Sequence, residues 1–432
     1  MLSPGYIFYN TIISLAGPPA LALAALRGRL RGDWPQRLGL APRLDLGPRP
    51  RVWVHAVSVG EVQAAAALME ALGKTAVNPA VWLTTATLAG RKAAQEMLPP
   101  ETPVLMFPLD AYAGPGRALA RLDPDLVIIL ETELWPNFIR SAKRRGVKIM
   151  LANGRISPRS VAWYRRFRFL FREVLGYVDL MAMIQPGDRD RIISIGADPG
   201  RVQVAGSAKY DLLLARAEEG RAARLGRELG LAPGRPMLVA GSTRSGEEAL
   251  VLDVFERLRK EFPDLGLIIA PRHVDRSDEV EALIRGRGFS LVRRGRNAVR
   301  TATAPDVILV DVMGELFFLY GLAAVAFCGA SLVPLGGQNP LEPAVWAKPV
   351  LYGPSMEDFL DARQMLEDAG AGRTVQNRDD FFQQARKLLS DRELAWERGR
   401  AGRRALEVHQ GAAERLAGLA LGLLAMDKNR GT

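Results

Sequence analysis

The sequence has very few of the residues that build disulfides and metal sites. Its 432 residues include one cysteine, Cys328, and three histidines, His55, His273 and His409. A lone cysteine cannot form an internal disulfide, which fits a reducing compartment. Because no HExxH or CxxC pair accompanies these few residues, a zinc site is not expected, and the sequence predicts no bound metal.

Acidic residues are also in deficit. The 58 lysines and arginines exceed the 47 aspartates and glutamates, which gives a formal net charge of +11. This surplus suits an anionic partner, which could be nucleic acid, an anionic lipid surface or a phosphorylated substrate. Zinc-finger, RNP and basic-heptad patterns are missing, so nucleic acid is not expected as a partner. The length indicates two domains, and a hydrophobic content of 48% is enough for buried cores.

The N-terminal stretch is apolar and bears on localisation. Residues 6–26 are apolar apart from a few polar positions, among them Asn10 and Thr11, and three arginines come after them within 27–31. A bilayer span needs about 20 such residues, but the Gly-Pro-Pro break at 17–19 leaves a dip into one leaflet as an open alternative. The basic flank predicts that the chain beyond residue 31 stays cytoplasmic, and a cleaved signal peptide is not expected. We therefore expect a membrane-associated segment at 1–31, with a buried core helix as the alternative.

Short apolar runs alternate with helical patterns along the rest of the chain. Runs rich in Val, Ile and Leu occupy residues 51–57, 81–85, 104–107, 126–130, 148–152, 180–184 and 202–205, and again 237–240, 265–270, 307–310, 323–327 and 349–352. Near-continuous apolar strands separated by helices indicate parallel sheets with helices on both faces. The stretch 213–235 is charged and helical, without strand character.

The pattern predicts an α/β protein with two doubly wound, Rossmann-like domains. We place them at 32–212 and 236–432, joined by a linker at 213–235. Ligands of such sheets bind beyond the carboxyl ends of the strands, so a cleft between the two domains is expected. The last helical stretch, 391–424, is long enough to reach back across that cleft.

Acidic residues follow two strands of the first half. Glu61 comes just after the run 51–57, and Glu131 and Glu133 come directly after the run 126–130. Because the carboxyl ends of parallel strands share one edge of a sheet, these carboxylates are expected to face the same cleft, where one could act as general base towards a sugar hydroxyl. For each residue on its own, helix capping or compensation of the helix dipole is an equally open explanation.

A glycine-rich turn follows the first strand of the second half. Residues 241–248 read Gly-Ser-Thr-Arg-Ser-Gly-Glu-Glu, and Glu247 stands where the lysine of a P-loop would be. ATP binding is therefore not expected. A turn at a helix N-terminus can still offer backbone N–H groups to one phosphate near Ser242 and Thr243, although side-chain capping by either residue would look the same in sequence.

Three more motifs stand at strand ends of the second half. Pro271-Arg272-His273 follows the run 265–270, Met313-Gly314-Glu315-Leu316 comes after the run 307–310, and Asn339-Pro340-Leu341-Glu342 precedes a helix. An arginine at such a position can hold a phosphate through two N–H bonds. A carboxylate such as Glu342 can accept hydrogen bonds from both ribose hydroxyls of a nucleotide. No single motif is specific, but four in order at strand ends are hard to obtain by accident.

The motifs together resemble those of the bacterial Kdo transferases of lipopolysaccharide synthesis (glycosyltransferase family 30), where Kdo is 3-deoxy-D-manno-octulosonic acid. The resemblance covers essentially the whole chain. It is carried by the segments HAVSVGE (55–61), ETELWP (131–136), ANGR (152–155), PRH (271–273), MGEL (313–316) and NPLEP (339–343).

The resemblance implies a GT-B fold and an inverting transfer of Kdo from CMP-Kdo to a disaccharide lipid A precursor, lipid IVA, at the cytoplasmic face of the inner membrane. It implies Glu61 as general base, with Glu131 and Lys209 stabilising the transition state. The predicted donor site comprises Ser242, Thr243, Pro271, Arg272, His273, Met313, Gly314, Glu315, Leu316, Asn339, Pro340, Leu341 and Glu342. Related GT-B enzymes neutralise the leaving phosphate with protein groups, so neither a metal nor another cofactor is implied.

Some alternatives stay open. The basic, aromatic stretch 163–169 either contacts acceptor phosphates or lipid headgroups, or is a solvated helix face with its aromatic residues in the core. For the whole chain, a GT-B glycosyltransferase with a UDP-sugar donor is the alternative enzyme. A non-catalytic membrane scaffold is the alternative from another class.

Overall fold

Two compact units make up the structure. The computed structural model describes residues 3–26, 33–42, 44, 47–111, 113–295 and 304–428. One unit runs to Leu212 and also includes the chain from His409 onward, and the other unit is Leu213–Val408. The arginines predicted to flank a membrane segment at 27–31 lie outside the described residues.

The first unit is built from β1 (Arg51–Ala56), β2 (Ala80–Thr85), β3 (Val104–Met106), β4 (Leu126–Leu130), β5 (Lys148–Gly154), β6 (Leu180–Met183) and β7 (Val202–Val204). Its helices, in chain order, are α1 (Pro4–Leu26), α2 (Trp34–Arg37), α3 (Val59–Gly73), α4 (Leu88–Met97), α5 (Gly114–Leu122), α6 (Pro136–Arg144), α7 (Pro158–Arg166), α8 (Arg168–Tyr177), α9 (Pro186–Ile195) and α10 (Ala208–Ala215), with a 3₁₀ turn at Pro199–Arg201.

The strands of the first unit form one parallel sheet in the order β3-β2-β1-β4-β5-β6-β7. Alternate residues of its central strands enter different cores: Val127 and Ile129 of β4 pack on one face, and Leu126 and Ile128 on the other. Both faces are covered, which is why these strands are apolar along their whole length. The seven apolar runs predicted for this half are its seven strands, with ends that agree within two residues.

The second unit is built from β8 (Met237–Thr243), β9 (Gly266–Pro271), β10 (Leu291–Arg293), β11 (Val307–Leu309), β12 (Val325–Cys328), β13 (Val350–Tyr352) and β14 (Gly372–Thr374). Its helices are α11 (Glu219–Glu228), α12 (Glu247–Glu261), α13 (Ser277–Arg285), α14 (Leu316–Leu319), α15 (Leu341–Val345), α16 (Leu360–Asp368), α17 (Arg378–Ser390) and α18 (Arg392–Glu407), with 3₁₀ turns at Val274–Arg276, Tyr320–Leu322 and Glu357–Phe359. The final helix of the chain is α19 (Ala412–Lys428).

The second sheet is also parallel, in the order β10-β11-β9-β8-β12-β13-β14. Its five predicted strands are confirmed, with ends that agree within three residues. The prediction missed β10 and β14, which have three residues each and lie at the two edges of the sheet. Edge strands need no continuous apolar run because one side has no neighbouring strand, and both contain an arginine.

Helix α1 belongs in part to the first unit. Tyr6 is fully buried, and its hydroxyl donates a hydrogen bond to the carbonyl of Pro136 (2.8 Å). The Tyr9 hydroxyl donates to Oδ2 of Asp110 (2.8 Å). One side of the first two turns thus packs into the core, as the alternative interpretation proposed, and the segment predicted at 1–31 is not separate from the domain at its start. Among the described residues, no helix combines the length and the apolar character required to cross a bilayer.

The domain limits predicted at 213–235 and at 236–432 both need correction. The supposed linker contains α11, which packs against α14 and buries Ala222 and Leu225 in the second unit. At the other end, α19 packs against α3 of the first unit. The reason is its apolar face, whose Leu416 and Ala420 are fully buried in one of the two cores of that unit.

Candidate active site

The centre of the first sheet is where its topology reverses. From β1 the chain builds outward through β2 and β3, and β4 then joins β1 on its other side. Ligands of doubly wound sheets bind beyond the carboxyl ends of strands at such a reversal. Glu61 lies in the first turn of α3, after β1, and Glu131 follows β4 directly. The structure therefore brings both predicted carboxylates to the reversal point.

Glu61 is buried, with 6% of its surface exposed. Its Oε2 accepts a hydrogen bond from the Val57 N–H (2.7 Å), and its Oε1 accepts one from the Ser58 hydroxyl (2.9 Å). Burial raises the pKa of this carboxyl to about 7; the two hydrogen bonds oppose the rise, and the charges of Glu131 and Glu133 add to it. Glu61 thus fixes the start of α3 and also has the pKa of a general base that works near neutral pH.

Glu131 has a left-handed backbone conformation, with φ at +54°. This conformation is uncommon for a residue with a side chain and costs on the order of 1–3 kcal/mol. Burial raises the pKa of Glu131, while the positive charges of Arg155 and Lys209 oppose the rise. Burial also raises the pKa of Glu133, and the charge of Glu131 adds to that effect. Three carboxyl groups with raised pKa values thus lie within electrostatic range of one another.

Lys209 places a cation beside these acids. It is the second residue of α10, whose first N–H, from Ala208, donates to Oδ1 of Asn153 (3.0 Å). A Cβ added to Gly60 would lie 3.6 Å from the Lys209 Nζ, so the ammonium lies next to the residue before Glu61. Burial lowers the pKa of Lys209, and the Glu131 carboxylate opposes that change.

Arg155 and Tyr210 join this group, although they were absent from the predicted site residues. The charge of Arg155 acts on the pKa of Glu131, Lys209 and Tyr210. Tyr210 is the neighbour of Lys209 on α10, and its pKa is raised by burial. The available signal was the position of Arg155 directly after β5, in line with the acids after β1 and β4.

The second sheet reverses its topology between β8 and β12. Ser242, near the end of β8, has φ at +56°. Thr243 is fully buried, and its Oγ1 has no hydrogen-bond partner among the described residues. Helix α12 begins at Glu247 after Gly246, with no side-chain cap. The capping interpretation of Ser242 and Thr243 is therefore wrong, since neither side chain caps the helix.

The motif after β9 lies beside this turn. Pro271 is the last, buried residue of β9, and the N–H of the exposed Arg272 donates to the Thr243 carbonyl (3.0 Å). The ring Nε2 of His273 is hydrogen-bonded to the guanidinium of Arg244. Backbone and side-chain contacts thus join the predicted motifs at 242–243 and 271–273.

The predicted motif at 339–342, which follows β12, adds Glu342 to the candidate donor site. Oδ1 of Asn339 accepts a hydrogen bond from the N–H of Leu341 (3.2 Å), which shapes the Pro340 turn into α15. Burial raises the pKa of Glu342, whereas the positive charges of Arg216 and Arg272 oppose the rise. Arg272 and Glu342 therefore lie near each other, although they follow different strands.

The motif after β11 completes the set. Met313 is 67% exposed, and Gly314 has φ at +90°. The Glu315 carboxylate accepts two hydrogen bonds from the Arg294 guanidinium (2.8 and 3.0 Å), and Leu316 begins α14. The Arg216 guanidinium, whose charge opposes the rise in the pKa of Glu342, also lies 4.4 Å from the centre of the Phe317 ring in α14.

The chain has relatives of known activity. Residues 32–212 match the family model described as 3-deoxy-D-manno-octulosonic-acid transferase (kdotransferase). The 3-deoxy-D-manno-octulosonic acid transferase of Haemophilus influenzae is 30% identical over 95% of this chain and 96% of its own length. That of Bordetella pertussis is 31% identical over 90% of this chain and 92% of its own. The chain belongs to the Kdo transferase family.

Membership of the Kdo transferase family makes this protein a glycosyltransferase, as the motifs predicted. A glycosyltransferase from Rickettsia africae has a similar fold, with a TM-score of 0.52 at 11% identity over 88% of this chain and 99% of its own. A UDP-GlcNAc 2-epimerase from Neisseria meningitidis gives a TM-score of 0.58 at 13% identity over 87% of this chain and all of its own. The predicted GT-B fold, with two α/β domains built on parallel sheets, is confirmed.

Proposed function

We propose that this Kdo transferase moves Kdo from CMP-Kdo to a disaccharide lipid A precursor, lipid IVA, with inversion at the anomeric carbon. The observation that carries the proposal is Glu61: a buried carboxyl at the reversal point of the first sheet, with a pKa raised to about 7 and a half-buried lysine beside it. A sugar hydroxyl becomes a better nucleophile when such a base takes its proton.

The proposed reaction is a single displacement. A hydroxyl of the acceptor attacks the anomeric carbon of Kdo while its proton passes to Glu61. The bond between that carbon and the phosphate oxygen of CMP breaks, and CMP leaves with the electron pair. The carboxylate of Glu131 favours positive charge that develops on the sugar, and Lys209 helps to keep Glu131 ionised against the effect of burial.

The donor side is proposed to hold CMP by two charged residues. Arg272 is exposed at the end of β9 and can donate two N–H bonds to the leaving phosphate. Glu342 can accept the ribose hydroxyls. Because the Arg272 guanidinium can compensate the negative charge of the leaving phosphate, we expect transfer to need no metal and to continue in the presence of a chelator.

An exposed apolar patch on the first unit supports membrane contact at the cytoplasmic face of the inner membrane. Its members lie on α1, α7 and α8: Ile7, Phe8, Ile12, Leu15, Trp163 and Phe169, each at least 41% exposed. The ring of Phe8 lies 5.7 Å from that of Phe169, which joins the helices into one surface. Arg165, Arg166 and Arg168 are exposed along the same stretch. Apolar side chains with basic neighbours suit the interface of an anionic membrane.

Mass spectrometry tests the reaction directly. Incubation with CMP-Kdo and the tetra-acylated disaccharide precursor should add the mass of one or more Kdo residues, with and without EDTA. UDP-N-acetylglucosamine tests the alternative donor, and turnover of it without turnover of CMP-Kdo would overturn the proposal. If a titration found no affinity for CMP, the non-catalytic scaffold would be favoured instead.

Vesicle binding tests the membrane surface. Trp163→Ser should weaken binding to vesicles that contain anionic phospholipid, because it removes an exposed apolar anchor. Trp396→Ser is the matched control, since Trp396 is 59% exposed but lies in the second unit. Equal binding by the two variants would contradict the assignment of this patch.

A further inference from the structure

Glu247 is the residue that made the glycine-rich turn differ from a P-loop, and the reaction does not use it. Its side chain is fully buried. Oε2 accepts hydrogen bonds from the N–H groups of Arg244 (2.9 Å) and Ala330 (2.6 Å). Oε1 accepts hydrogen bonds from the N–H groups of Ser331 and Leu332, both at 2.9 Å. One carboxylate thus binds four backbone donors from two loops.

These two loops follow the strands between which the second sheet reverses its topology. Arg244 comes directly after β8, and Ala330 to Leu332 come after β12. The strands also approach closely at this point, because a Cβ on Gly329 would lie 2.6 Å from the Ser242 carbonyl oxygen. The network continues to the next strand, since the Ser331 hydroxyl accepts a hydrogen bond from the Gly353 N–H (2.8 Å).

The backbone is strained next to both loops, at the end of β8 and after β12. Ser242 and Ala330 are non-glycine residues with φ at +56° and +57°. A left-handed backbone conformation is unfavourable for a residue with a side chain and persists only where the surrounding structure fixes it. Four charge-assisted bonds from Glu247 provide that constraint, because hydrogen bonds to an ionised acceptor are the strong ones.

A ring of backbone N–H groups is normally a binding site for an external anion, such as a phosphate. In this turn the chain supplies the anion itself. The next residue shows that acidity alone does not explain the arrangement. Glu248 is equally buried, but its carboxylate pairs with the Arg276 guanidinium (2.8 Å) and accepts no hydrogen bond from either loop in the part of the chain that the structure describes.

We propose that Glu247 is a positioning residue for the donor nucleotide: it holds the Ser242–Thr243 turn and the 330–332 loop in the conformation that receives the phosphate of CMP. It acts through backbone that the nucleotide contacts and does not itself touch the donor. This inference rests on the proposed function, in which the second unit binds CMP-Kdo and Arg272, which is hydrogen-bonded to the Thr243 carbonyl, holds the phosphate. It predicts an effect on donor affinity and none on the chemistry at Glu61.

The test compares three variants by CMP titration and by steady-state kinetics. Glu247→Gln keeps the shape but replaces one acceptor with a donor that faces N–H groups, so the Kd for CMP and the KM for CMP-Kdo should rise about tenfold or more. The KM for the acceptor and the kcat at saturating donor should change less than threefold. Glu247→Asp keeps the charge and should restore part of the affinity. Glu248→Gln is the matched control and should bind CMP as the wild type does.

The outcomes separate this inference from the proposed function. If the wild type binds CMP and Glu247→Gln binds it equally well, the positioning role is wrong and the donor assignment stands. If Glu247→Gln lowers kcat and the affinity for both substrates alike, Glu247 only maintains the fold, and the inference is likewise overturned. If Glu247→Gln does not fold, Glu247→Asp takes its place, and the same comparison of donor and acceptor constants decides. A wild type without affinity for CMP overturns both proposals.

Discussion

Acidic residues that follow central strands have different surroundings in the two sheets. In the first unit, Glu61 and Glu131 are desolvated, and their pKa values are raised although cations lie nearby. In the second unit, Glu247 accepts four hydrogen bonds, and Glu248 is paired with Arg276. Glutamates at corresponding strand ends of the two sheets therefore differ in how well their surroundings stabilise a negative charge.

The difference separates chemistry from shape. An acid whose charge is poorly stabilised is ready to accept a proton, which is why perturbed pKa values concentrate at catalytic sites. An acid that accepts hydrogen bonds from four backbone N–H groups, as Glu247 does, fixes the conformation of the backbone. Proton transfer is therefore expected at the strand ends of the first sheet, and binding and orientation of the donor are expected at the strand ends of the second sheet.

The largest expected effect comes from neutralising the acid proposed as base. Glu61→Gln should reduce kcat by about 10²–10⁴-fold, since general base catalysis contributes this much, and should leave CMP binding within twofold. Glu133→Gln, which removes a neighbouring acid, is the control and should cost less than tenfold. Comparable losses in the two variants would show that the acids act as a group and that Glu61 is not the base.

The pH dependence of transfer should report the same residue. Because Glu61 must be ionised to accept a proton and its pKa is about 7, kcat/KM should fall as the pH drops below about 7, approaching tenfold per pH unit. His273→Asn is the control for the second sheet. It should retain the same decline at acidic pH, which would exclude His273 as the source of that decline. A rate–pH profile that stays flat between pH 5 and 8 would contradict the assignment.

Arg272 and Glu342 of the second unit should contribute to donor affinity through different parts of the nucleotide. Arg272→Ala should weaken CMP about tenfold or more, because a charge-assisted hydrogen bond is worth roughly 1.5–3 kcal/mol, but should leave cytidine binding unchanged. Glu342→Ala should weaken CMP and cytidine alike, since both contain the ribose. Calorimetric titration of the two ligands measures this, and equal loss of cytidine in Arg272→Ala would remove that residue from the phosphate.

The smallest effect concerns stability. Burial raises the pKa of Glu61 from 4.5 to about 7, so the folded state favours the protonated form. The stability from this carboxyl is present below pH 4.5 and is lost as the pH rises to 7 and beyond. Glu61→Gln cannot ionise. A pKa shift of this size is worth about 3 kcal/mol, and the amide loses part of that gain because it accepts the Val57 N–H hydrogen bond less strongly than a carboxylate does. At pH 8 the free energy of unfolding of the variant should therefore be about 1–2 kcal/mol higher than that of the wild type.

Denaturant unfolding at two pH values checks this sign. The advantage of Glu61→Gln at pH 8 should largely disappear at pH 4, where the carboxyl is protonated in the folded chain and mostly protonated in the unfolded chain. Glu70→Gln, at an exposed position of the same helix, is the matched control. An advantage that persists in full at pH 4 would mean that the carboxyl is not strained by its charge.

Sequence patterns predicted the parts of the fold that depend on burial. Strands buried on both faces must be apolar throughout, so β4 could be located from the sequence, whereas the short edge strand β10 could not. Glu61 and Glu131 could be predicted as partners because parallel strands place their carboxyl ends together.

Features that depend on distant contacts could not be predicted. Nothing near Glu247 indicates that three of the four N–H groups it binds come from residues 83 to 85 positions later. The grouping of Arg155 with Tyr210 requires the turn after β5 and the path of α10. The length of the last helical stretch indicated that it could reach back, but the packing of α19 against α3 is a distant contact that no local pattern specifies.

The last helix also sets an order of events during synthesis. The face of α3 that contains Leu68 lies in the same core as Leu416 and Ala420 of α19, and Asp211 accepts hydrogen bonds from the N–H groups of Gly411 and Ala413, which lie about two hundred residues further along the chain. Domains generally fold as they emerge from the ribosome, N-terminal first. Here the domain that contains Glu61 begins first but is completed last, because the residues that close its core are translated only after the entire second domain. A nascent chain that stalls within the second domain therefore exposes the apolar face of the first.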